Sequence, residues 1–161
     1  MNVLIVDDSP VIRQLIMKML KPYGFAFTEA ANGVEAVAKF SAALPGPGKF
    51  DLVLMDIEMP EMDGQQALKM IRMMEKRVYG PTLSTNRYAC IIMITSLDDP
   101  QNLIESYKSG KCNGYLTKPV DPDDLLDKLR RNHIINGTRP VDLSGSRTKA
   151  HAPARVCLLT E

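Results

Sequence analysis

The sequence predicts an α/β protein in which one parallel β-sheet is covered by helices on both faces. Short apolar runs alternate five times with longer stretches of helical periodicity, a pattern typical of buried parallel strands joined by helices. The chain of 161 residues, 45% apolar and 24% charged, is long enough for one domain with a buried core and has little room for a second.

The strand candidates are apolar runs that stop at polar residues. In chain order they are Asn2 to Val6, Phe25 to Ala30, Phe50 to Met55, Ala89 to Ile94 and Gly114 to Leu116. Because strands joined by helices use right-handed crossovers, the simplest arrangement is an open sheet in the flavodoxin-like order 2-1-3-4-5. In that order the loops after strands one, three, four and five meet at one edge of the sheet.

Helical spacing of apolar residues, with turn residues at the ends, predicts five helices. Their starts and stops are, in order, Ser9-Pro10 to Tyr23-Gly24, Asn32-Gly33 to Pro45-Gly48, about Gly64 to Glu75, Asp99-Pro100 to Ser109-Gly110, and from Asp121-Pro122 onward. Residues 77–88 are expected to form an extended polar loop. We expect one domain over residues 1–135 and a flexible tail over 136–161, since the tail lacks periodicity.

Charge and apolar patterning exclude several classes of protein. A net charge of +1 gives no sign of direct nucleic-acid binding. The apolar run at Val3 to Val6 is too short for a membrane span or a secretion signal, so no membrane insertion and a cytoplasmic location are expected. The three cysteines, Cys90, Cys112 and Cys157, lack metal-ligand spacing and are predicted to be free thiols.

Polar side chains follow four of the predicted strands directly. They are Asp7 and Asp8 after the first, Asp56 after the third, Thr95 after the fourth and Lys118 after the fifth. Three carboxylates brought to one edge repel each other unless a cation joins them. Hard oxygen ligands with open positions suit Mg²⁺, and Lys118 with the Thr95 hydroxyl would complete a pocket for a tetrahedral oxyanion. One carboxylate would then be the nucleophile.

Four motifs on these loops resemble the receiver domains of two-component response regulators. They are Val-Asp-Asp-Ser from Val6, Leu-Met-Asp-Ile-Glu-Met-Pro-Glu-Met-Asp-Gly from Leu54, Ile-Thr-Ser from Ile94 and Gly-Tyr-Leu-Thr-Lys-Pro from Gly114. The resemblance covers about residues 2 to 135. Since all four occur in the right order on the right loops, it is far more specific than any one of them alone.

The resemblance implies a role for each site residue. Asp56 would accept a phosphoryl group, and Asp8 would hold Mg²⁺ together with Asp56, with Asp7 acting mainly through water and the Glu58 backbone carbonyl completing the protein ligands. Lys118 would contact the acyl phosphate, with a cis bond to Pro119. Thr95 and Tyr115 would form a coupled switch pair. Such a domain catalyses only its own phosphorylation and dephosphorylation and is otherwise not an enzyme.

The resemblance also implies partners. The phosphodonor would be a sensor histidine kinase or a histidine phosphotransfer protein. A downstream protein target would bind the face made by the fourth helix, the fifth strand and the fifth helix, as in stand-alone chemotaxis-type regulators. Candidate residues on that face are Tyr107, Lys108, Lys111 and Lys128.

Two other functions remain open from the residues alone. A haloacid-dehalogenase-type phosphatase also uses an aspartyl phosphate and places a second acid two residues after its nucleophile, where Glu58 stands here. The Asp-x-Asp-x-Thr pattern of those enzymes is absent. A flavodoxin-like nucleotide or flavin module would use the same sheet edge, but an acid-lined crevice disfavours it. Within the receiver interpretation, the extra acid Glu58 leads us to expect an altered lifetime of the phosphoryl group.

Overall fold

Five parallel strands form one sheet in the computed structural model, which describes residues 1–44, 46–80, 88–96 and 112–135. The strands are β1 (Asn2–Val6), β2 (Ala26–Ala30), β3 (Leu52–Asp56), β4 (Cys90–Thr95) and β5 (Gly114–Thr117). Their order, β2-β1-β3-β4-β5, confirms the predicted order. All neighbouring pairs are parallel, so the carboxyl ends of β1, β3, β4 and β5 meet at one edge.

The described helices cover both faces of the sheet. They are α1 (Pro10–Leu20), followed by a 3₁₀ turn (Lys21–Tyr23), then α2 (Gly33–Ala43), α3 (Gly64–Tyr79) and α4 (Pro122–Arg131). The last of these is the fifth helix predicted from the sequence. The fourth predicted helix, from Asp99 to Gly110, lies outside the described residues.

Alternation along the central strands divides the core into two layers. The side chains of Val3, Ile5 and Ile92 pack with Leu20 of α1 and Leu125 of α4 on one face. On the other face, α2 and α3 contribute a second set of buried residues, which is Ala36, Phe40, Ala67, Leu68 and Ile71. Burying a Leu, Ile or Phe side chain contributes about 1.5–3 kcal/mol relative to leaving it exposed. The buried strands therefore hold the site-bearing edge in a rigid frame.

The third helix is longer than predicted. It continues past Glu75 to Tyr79, so residues 77–79 are helical and the predicted loop over 77–88 begins too early. The Tyr79 hydroxyl donates to the Leu44 carbonyl at 2.7 Å and fixes this last turn against the end of α2. Gly80, with φ of 90°, then ends the helix. Residues 81–87, the rest of that predicted loop, lie outside the described residues.

The N-cap residues of the described helices differ in how they hydrogen-bond. Ser9 occupies the N-cap position of α1, but its side chain makes no capping hydrogen bond. Instead, the Ser9 backbone N–H donates to Asp7 Oδ1 at 2.8 Å. Asn32 and Asp121 cap α2 and α4 with their side chains. The acid after β1 thus replaces the serine hydroxyl as the local hydrogen-bonding group.

The described cysteines fit the free-thiol prediction. Cys90 and Cys112 are buried and unbridged, and burial raises the pKa of Cys90 to about 12. Such a thiol is inert as a nucleophile near neutral pH. Cys157 and the predicted tail over 136–161 lie outside the described residues. Across the described parts of the chain, no helix has the length and apolar character needed to span a membrane.

Candidate phosphoacceptor site

Three carboxylates meet at the carboxyl edge of the sheet. One oxygen each of Asp7, Asp8 and Asp56 lies within 4.8 Å of the others. Asp7 and Asp56 are buried, whereas Asp8 is exposed. The cause is topological, because β1 and β3 are neighbours with Val6 opposite Met55, so the residues that follow them are adjacent. The structure therefore brings together the acids that the sequence placed on separate loops.

Lys118 faces two of these acids. Lys118 Nζ lies 2.7 Å from Asp56 Oδ2 and 3.0 Å from Asp7 Oδ2. Its backbone N–H donates to the Thr95 carbonyl at 2.7 Å, and the predicted cis bond to Pro119 is present. Burial alone lowers the pKa of Lys118, but the hydrogen bonds and charges of Asp56 and Asp7 outweigh it and raise the pKa above its ordinary value. Lys118 is thus held as a cation.

The pKa of Asp56 is raised, even though Lys118 lies beside its carboxylate. Burial raises the pKa of Asp56 and the charge of Asp7 raises it further, while hydrogen bonds from Lys118 and the Glu58 backbone N–H lower it, and the balance lies above the ordinary 3.8. Among the described residues, one ammonium faces three carboxylates in this cluster, which leaves a surplus of two negative charges. A divalent cation would neutralise that surplus.

The donor set fits Mg²⁺. All three side chains offer carboxylate oxygens, the hard ligands that Mg²⁺ prefers, and exposed Asp8 leaves the cluster open to water. The carboxylate of Glu58 is not part of the cluster, because it is exposed and its Oε2 accepts from Ser96 Oγ at 2.9 Å. The predicted part of Glu58 in binding is its backbone carbonyl, which stays a prediction.

Thr95 and Tyr115 lie on the same face of the sheet near this edge. Thr95 ends β4 and is buried, and its hydroxyl donates to the Ser96 carbonyl at 3.0 Å. Tyr115 is half-buried in β5, opposite Met93 and packed on the α2–α3 core layer. Because side chains two residues apart point to one face, Thr95 projects on the same side as Met93 and Tyr115. Their placement suits a coupled pair, although their switch role stays a prediction.

Arg13 supports the acidic loop and was missed from the sequence. Its NH1 donates to the Asp7 carbonyl at 2.8 Å, and its Nε pairs with Glu29 Oε2 at 2.7 Å. The guanidinium therefore ties α1 to the end of β1 and to β2. The only sequence signal was one polar residue on an amphipathic helix, which usually indicates a solvated side chain.

Gly64 is required where α3 begins. A Cβ at this position would lie 2.1 Å from the Asp56 carbonyl oxygen, which no real side chain tolerates. The Gly64 N–H donates to the Ile57 carbonyl at 2.9 Å and returns the chain to the end of β3. Residues Ile57 to Asp63, here called the β3–α3 loop, therefore begin and end beside Asp56.

Comparison with known proteins agrees with this geometry. The family description "Response regulator receiver domain" matches residues 3–130. The chemotaxis protein CheY of Bacillus subtilis is 34% identical over 131 residues, which is 81% of this chain and 95% of that protein. A solved structure of Vibrio cholerae CheY4 is 34% identical, has a TM-score of 0.64 and aligns over 81% of this chain and 96% of its own.

Two further solved structures are of interest for their contents. A CheX–CheY–BeF3–Mg complex from Borrelia burgdorferi is 31% identical, with a TM-score of 0.68 and coverage of 82% of this chain and 88% of that one. The receiver domain of the Pseudomonas aeruginosa kinase PA1611, solved with magnesium in its active-site cleft, is 29% identical, with a TM-score of 0.61 and coverage of 81% and 94%.

The match covers very different shares of the curated relatives. The chain spans 7% of the hybrid histidine kinase B of Dictyostelium discoideum and 54% of the probable regulator ycf29 of Porphyra purpurea, against nearly all of Bacillus CheY. What these proteins share with the chain is thus one domain, and none of the relatives named here supports the phosphatase alternative. By sequence family and by fold, this chain belongs to the response regulator receiver domains, the phosphorylation-activated signalling switches of two-component systems.

Proposed function

We propose that Asp56 accepts a phosphoryl group from a phosphohistidine on a sensor kinase or histidine phosphotransfer protein. In this step the N–P bond of the donor breaks and an O–P bond to the Asp56 carboxylate forms. The supporting observation is the position of Asp56, buried at the end of a central strand with Lys118 Nζ 2.7 Å away and two further acids beside it. Positioning and charge neutralisation would supply most of the catalysis.

The metal in this proposal is Mg²⁺, held by the side chains of Asp8 and Asp56 and by the Glu58 carbonyl. When bound, the ion would neutralise charge on the transferring phosphoryl oxygens. Asp7 Oδ1 accepts from the Ser9 N–H, and Oδ2 forms an ion pair with Lys118 at 3.0 Å. Asp7 would act on the ion mainly through water.

Lys118, Thr95 and Tyr115 would convert phosphorylation into a change of conformation. A phosphoryl group on Asp56 adds negative charge and strong acceptor oxygens. Lys118 would contact those oxygens, and Thr95 would exchange its present bond to the Ser96 carbonyl for one to the phosphoryl group. Tyr115 would then turn inward into the space that Thr95 leaves. Only the conformation that makes these contacts gains their energy, so phosphorylation biases a two-state equilibrium.

The test of this proposal is stoichiometric labelling by acetyl phosphate with Mg²⁺. Asp56→Asn should abolish labelling, and chelation of Mg²⁺ should do the same. Asp51→Asn is a matched control, because Asp51 precedes the same strand at its other end and accepts from the Asn2 N–H. Labelling of the Asp56→Asn variant, or multiple turnover on small phosphomonoesters, would contradict the proposal.

The output surface in this proposal includes Lys128 of α4. Its aliphatic stem lies against the start of β5, where a Cβ on Gly114 would meet Lys128 Cδ at 3.6 Å. The other candidates, Tyr107, Lys108 and Lys111, lie outside the described residues. Lys128→Glu should weaken phosphorylation-dependent binding of a protein target, whereas Lys18→Glu, at an exposed position on α1, should not. Equal binding by both variants would move the interface elsewhere.

Glu58 is proposed to set the lifetime of the phosphoryl group. Its carboxylate stands two residues after Asp56 and is held at the rim by Ser96. A fixed negative charge there acts on any water or anion that approaches the acyl phosphate. Dephosphorylation rates of Glu58→Asn and Ser96→Ala test this, because the second variant keeps the charge and loses the hydrogen bond. An unchanged rate in Glu58→Asn removes the idea.

A cytoplasmic location and the absence of other enzymatic activity complete the proposal. The buried free thiols of Cys90 and Cys112 fit a reducing compartment. The domain would act on itself alone, by taking a phosphoryl group onto Asp56 and later losing it to water. Incubation with a phosphorylated donor should therefore yield at most one labelled aspartate per chain before hydrolysis.

A further inference from the structure

The first turn of α2 contacts the β3–α3 loop at two consecutive residues. Asn32 Nδ2 donates to Glu61 Oε1 at 3.2 Å, and the Gly33 N–H donates to the Met62 carbonyl at 3.1 Å. Asn32 is buried although it is polar. Because α2 follows the edge strand β2, these contacts join a part of the fold that carries none of the proposed ligands to the loop that carries Glu58.

At Gly33 the backbone of α2 lies too close to the β3–α3 loop for any side chain to fit between them. A Cβ there would lie 2.6 Å from the Met62 carbonyl oxygen and 2.8 Å from Met62 Cγ. The backbone of α2 therefore touches the loop directly. A side chain at this position would push the loop away from the helix, so contact this close requires glycine.

Asn32 serves two elements with two different atoms. Its Oδ1 accepts from the Glu35 N–H at 2.8 Å and caps α2, while its Nδ2 reaches across to Glu61. A capping residue needs only the acceptor, and Ser or Asp would supply it equally well. The donor half of the amide is therefore not needed by the helix and is available to hold the loop.

The loop adopts a backbone conformation that needs such support. Glu61 has a φ of 65°, in the left-handed region that residues with a Cβ rarely adopt. The loop is also tied down at its ends, where Ile57 N–H donates to the Ile94 carbonyl and Gly64 N–H to the Ile57 carbonyl. Contacts from α2 at Glu61 and Met62 fix its far side.

We infer that Asn32 is a positioning residue for metal binding, which acts by holding Glu61 and thereby the loop that presents the Glu58 carbonyl. This inference rests on the proposed function, since it concerns the ion that Asp8 and Asp56 would hold. Groups that orient metal ligands typically change metal affinity by roughly 10–100-fold when they are removed. Asn32 acts through the backbone of several residues, so an effect of about tenfold is expected.

The experiment is calorimetric titration of the full chain with MgCl2. Asn32→Ser keeps the helix cap and the net charge but loses the donor to Glu61, and its Mg²⁺ Kd should rise about tenfold. In Asn32→Asp the contact between α2 and the loop should be weaker still, because the new carboxylate faces the carboxylate of Glu61. Adding Glu61→Gln to Asn32→Asp restores a hydrogen bond with the donor and acceptor exchanged. That double variant has the wild-type net charge and should recover most of the wild-type affinity.

A second pair of variants changes only the loop residue Glu61, so its result does not depend on whether α2 folds normally. Glu61→Gln and Glu61→Ala carry the same charge and the same backbone strain, but only Gln offers an acceptor to Asn32. Glu61 is exposed, so neither change removes core packing. Weaker Mg²⁺ binding in Glu61→Ala than in Glu61→Gln supports the inference, as long as the urea midpoints of the two agree.

The possible failures are distinct. If the wild-type chain binds Mg²⁺ and both Asn32→Ser and Glu61→Ala match their controls, the positioning role is wrong while the proposed function stands. If the wild-type chain binds no Mg²⁺ and Asp8→Asn changes nothing, the proposed function itself fails. Loss of affinity in Asn32→Asp without recovery in the double variant would also overturn the inference, because the restored hydrogen bond would then not restore Mg²⁺ binding.

Discussion

Each end of the sheet has a buried carboxylate paired with a cation, but the ratio of negative to positive charge differs between the two ends. At the carboxyl ends of the strands, Asp56 Oδ2 lies 2.7 Å from Lys118 Nζ. Near the amino end of β4, Glu75 Oε2 lies 2.6 Å from Arg72 NH1. Lys118 is shared with Asp7, in a cluster that includes Asp8. The first end keeps a surplus of negative charge, while Glu75 has a guanidinium partner of its own.

The network around Glu75 satisfies both of its oxygens. Oε1 accepts from the Ala89 N–H at 2.6 Å, and Oε2 accepts from Arg72. Arg72 also donates to the Ala89 carbonyl at 2.9 Å and to Asn113 Oδ1 at 3.0 Å, and that oxygen accepts from the Ile91 N–H. These bonds join α3 to the starts of β4 and β5. A matched network of this kind stabilises a fold, whereas an unmatched cluster is available for a ligand.

The largest expected effect comes from breaking the matched network. Glu75→Ala leaves the half-buried Arg72 guanidinium without its carboxylate and the buried Ala89 N–H without an acceptor. Loss of one partner of a buried ion pair costs about 3–5 kcal/mol of unfolding free energy. Urea denaturation measures this cost, and Asp127→Ala, which removes an exposed helical ion pair with Arg131, should cost at most about 0.5 kcal/mol. Similar losses of unfolding free energy in Glu75→Ala and Asp127→Ala would contradict a structural role for the network around Glu75.

A smaller effect is expected when the charge stays and the geometry changes. Arg72→Lys keeps a cation beside Glu75 but cannot reach Ala89 and Asn113 at the same time, because an ammonium lacks the planar fork of a guanidinium. Leaving one buried acceptor unsatisfied costs about 1–3 kcal/mol. Lys69→Arg on the exposed face of the same helix is the matched control. A fully stable Arg72→Lys variant would show that charge alone matters there.

The site-bearing edge could be predicted because its signals are local in sequence. Each apolar run ends at the polar residue that the site uses, so finding the strands also finds Asp7, Asp8, Asp56, Thr95 and Lys118. The strand order then follows from the alternation of strands and helices. The predicted bounds of β2, β3, β4 and β5 each differ from the observed bounds by one or two residues, because the pairing of flanking residues depends on the neighbouring strand.

The matched network could not be predicted because its signals are not local. Arg72 and Glu75 stand three apart on a helix, which usually indicates a solvated surface pair. Only the packing of α3 against β4 buries Glu75 completely. For the same reason the sequence predicts only a turn at Asn32-Gly33, because its contacts with Glu61 and Met62 cross 29 residues of chain. Tertiary contact, not pattern, gives these residues their roles.

At the unmatched end, removal of a charge should increase stability. Asp56→Asn relieves repulsion with Asp7 and Asp8 while the amide still accepts from Lys118. In metal-free buffer at neutral pH we expect the unfolding free energy to rise by about 1 kcal/mol, because the relieved like-charge repulsion is partly offset by a weaker contact with Lys118. Urea denaturation with EDTA measures it. A destabilised Asp56→Asn variant would mean that the ion pair with Lys118 outweighs the surplus.

The smallest expected effect is the pH dependence of that difference. Asp56 has a folded-state pKa above 3.8, chiefly because burial disfavours its charge, so its ionised form costs stability at neutral pH. As pH falls through the raised pKa towards 3.8, the folded chain takes up a proton before the unfolded chain does, and the cost disappears. The advantage of Asp56→Asn over wild type should therefore be greatest near pH 7 and shrink on acidification, in urea titrations of both chains without metal. If the stability gain of Asp56→Asn over wild type instead grew as the pH fell, the ionised form of Asp56 would stabilise the fold. Asp56 would then be a carboxylate whose charge is matched by its partners, like Glu75.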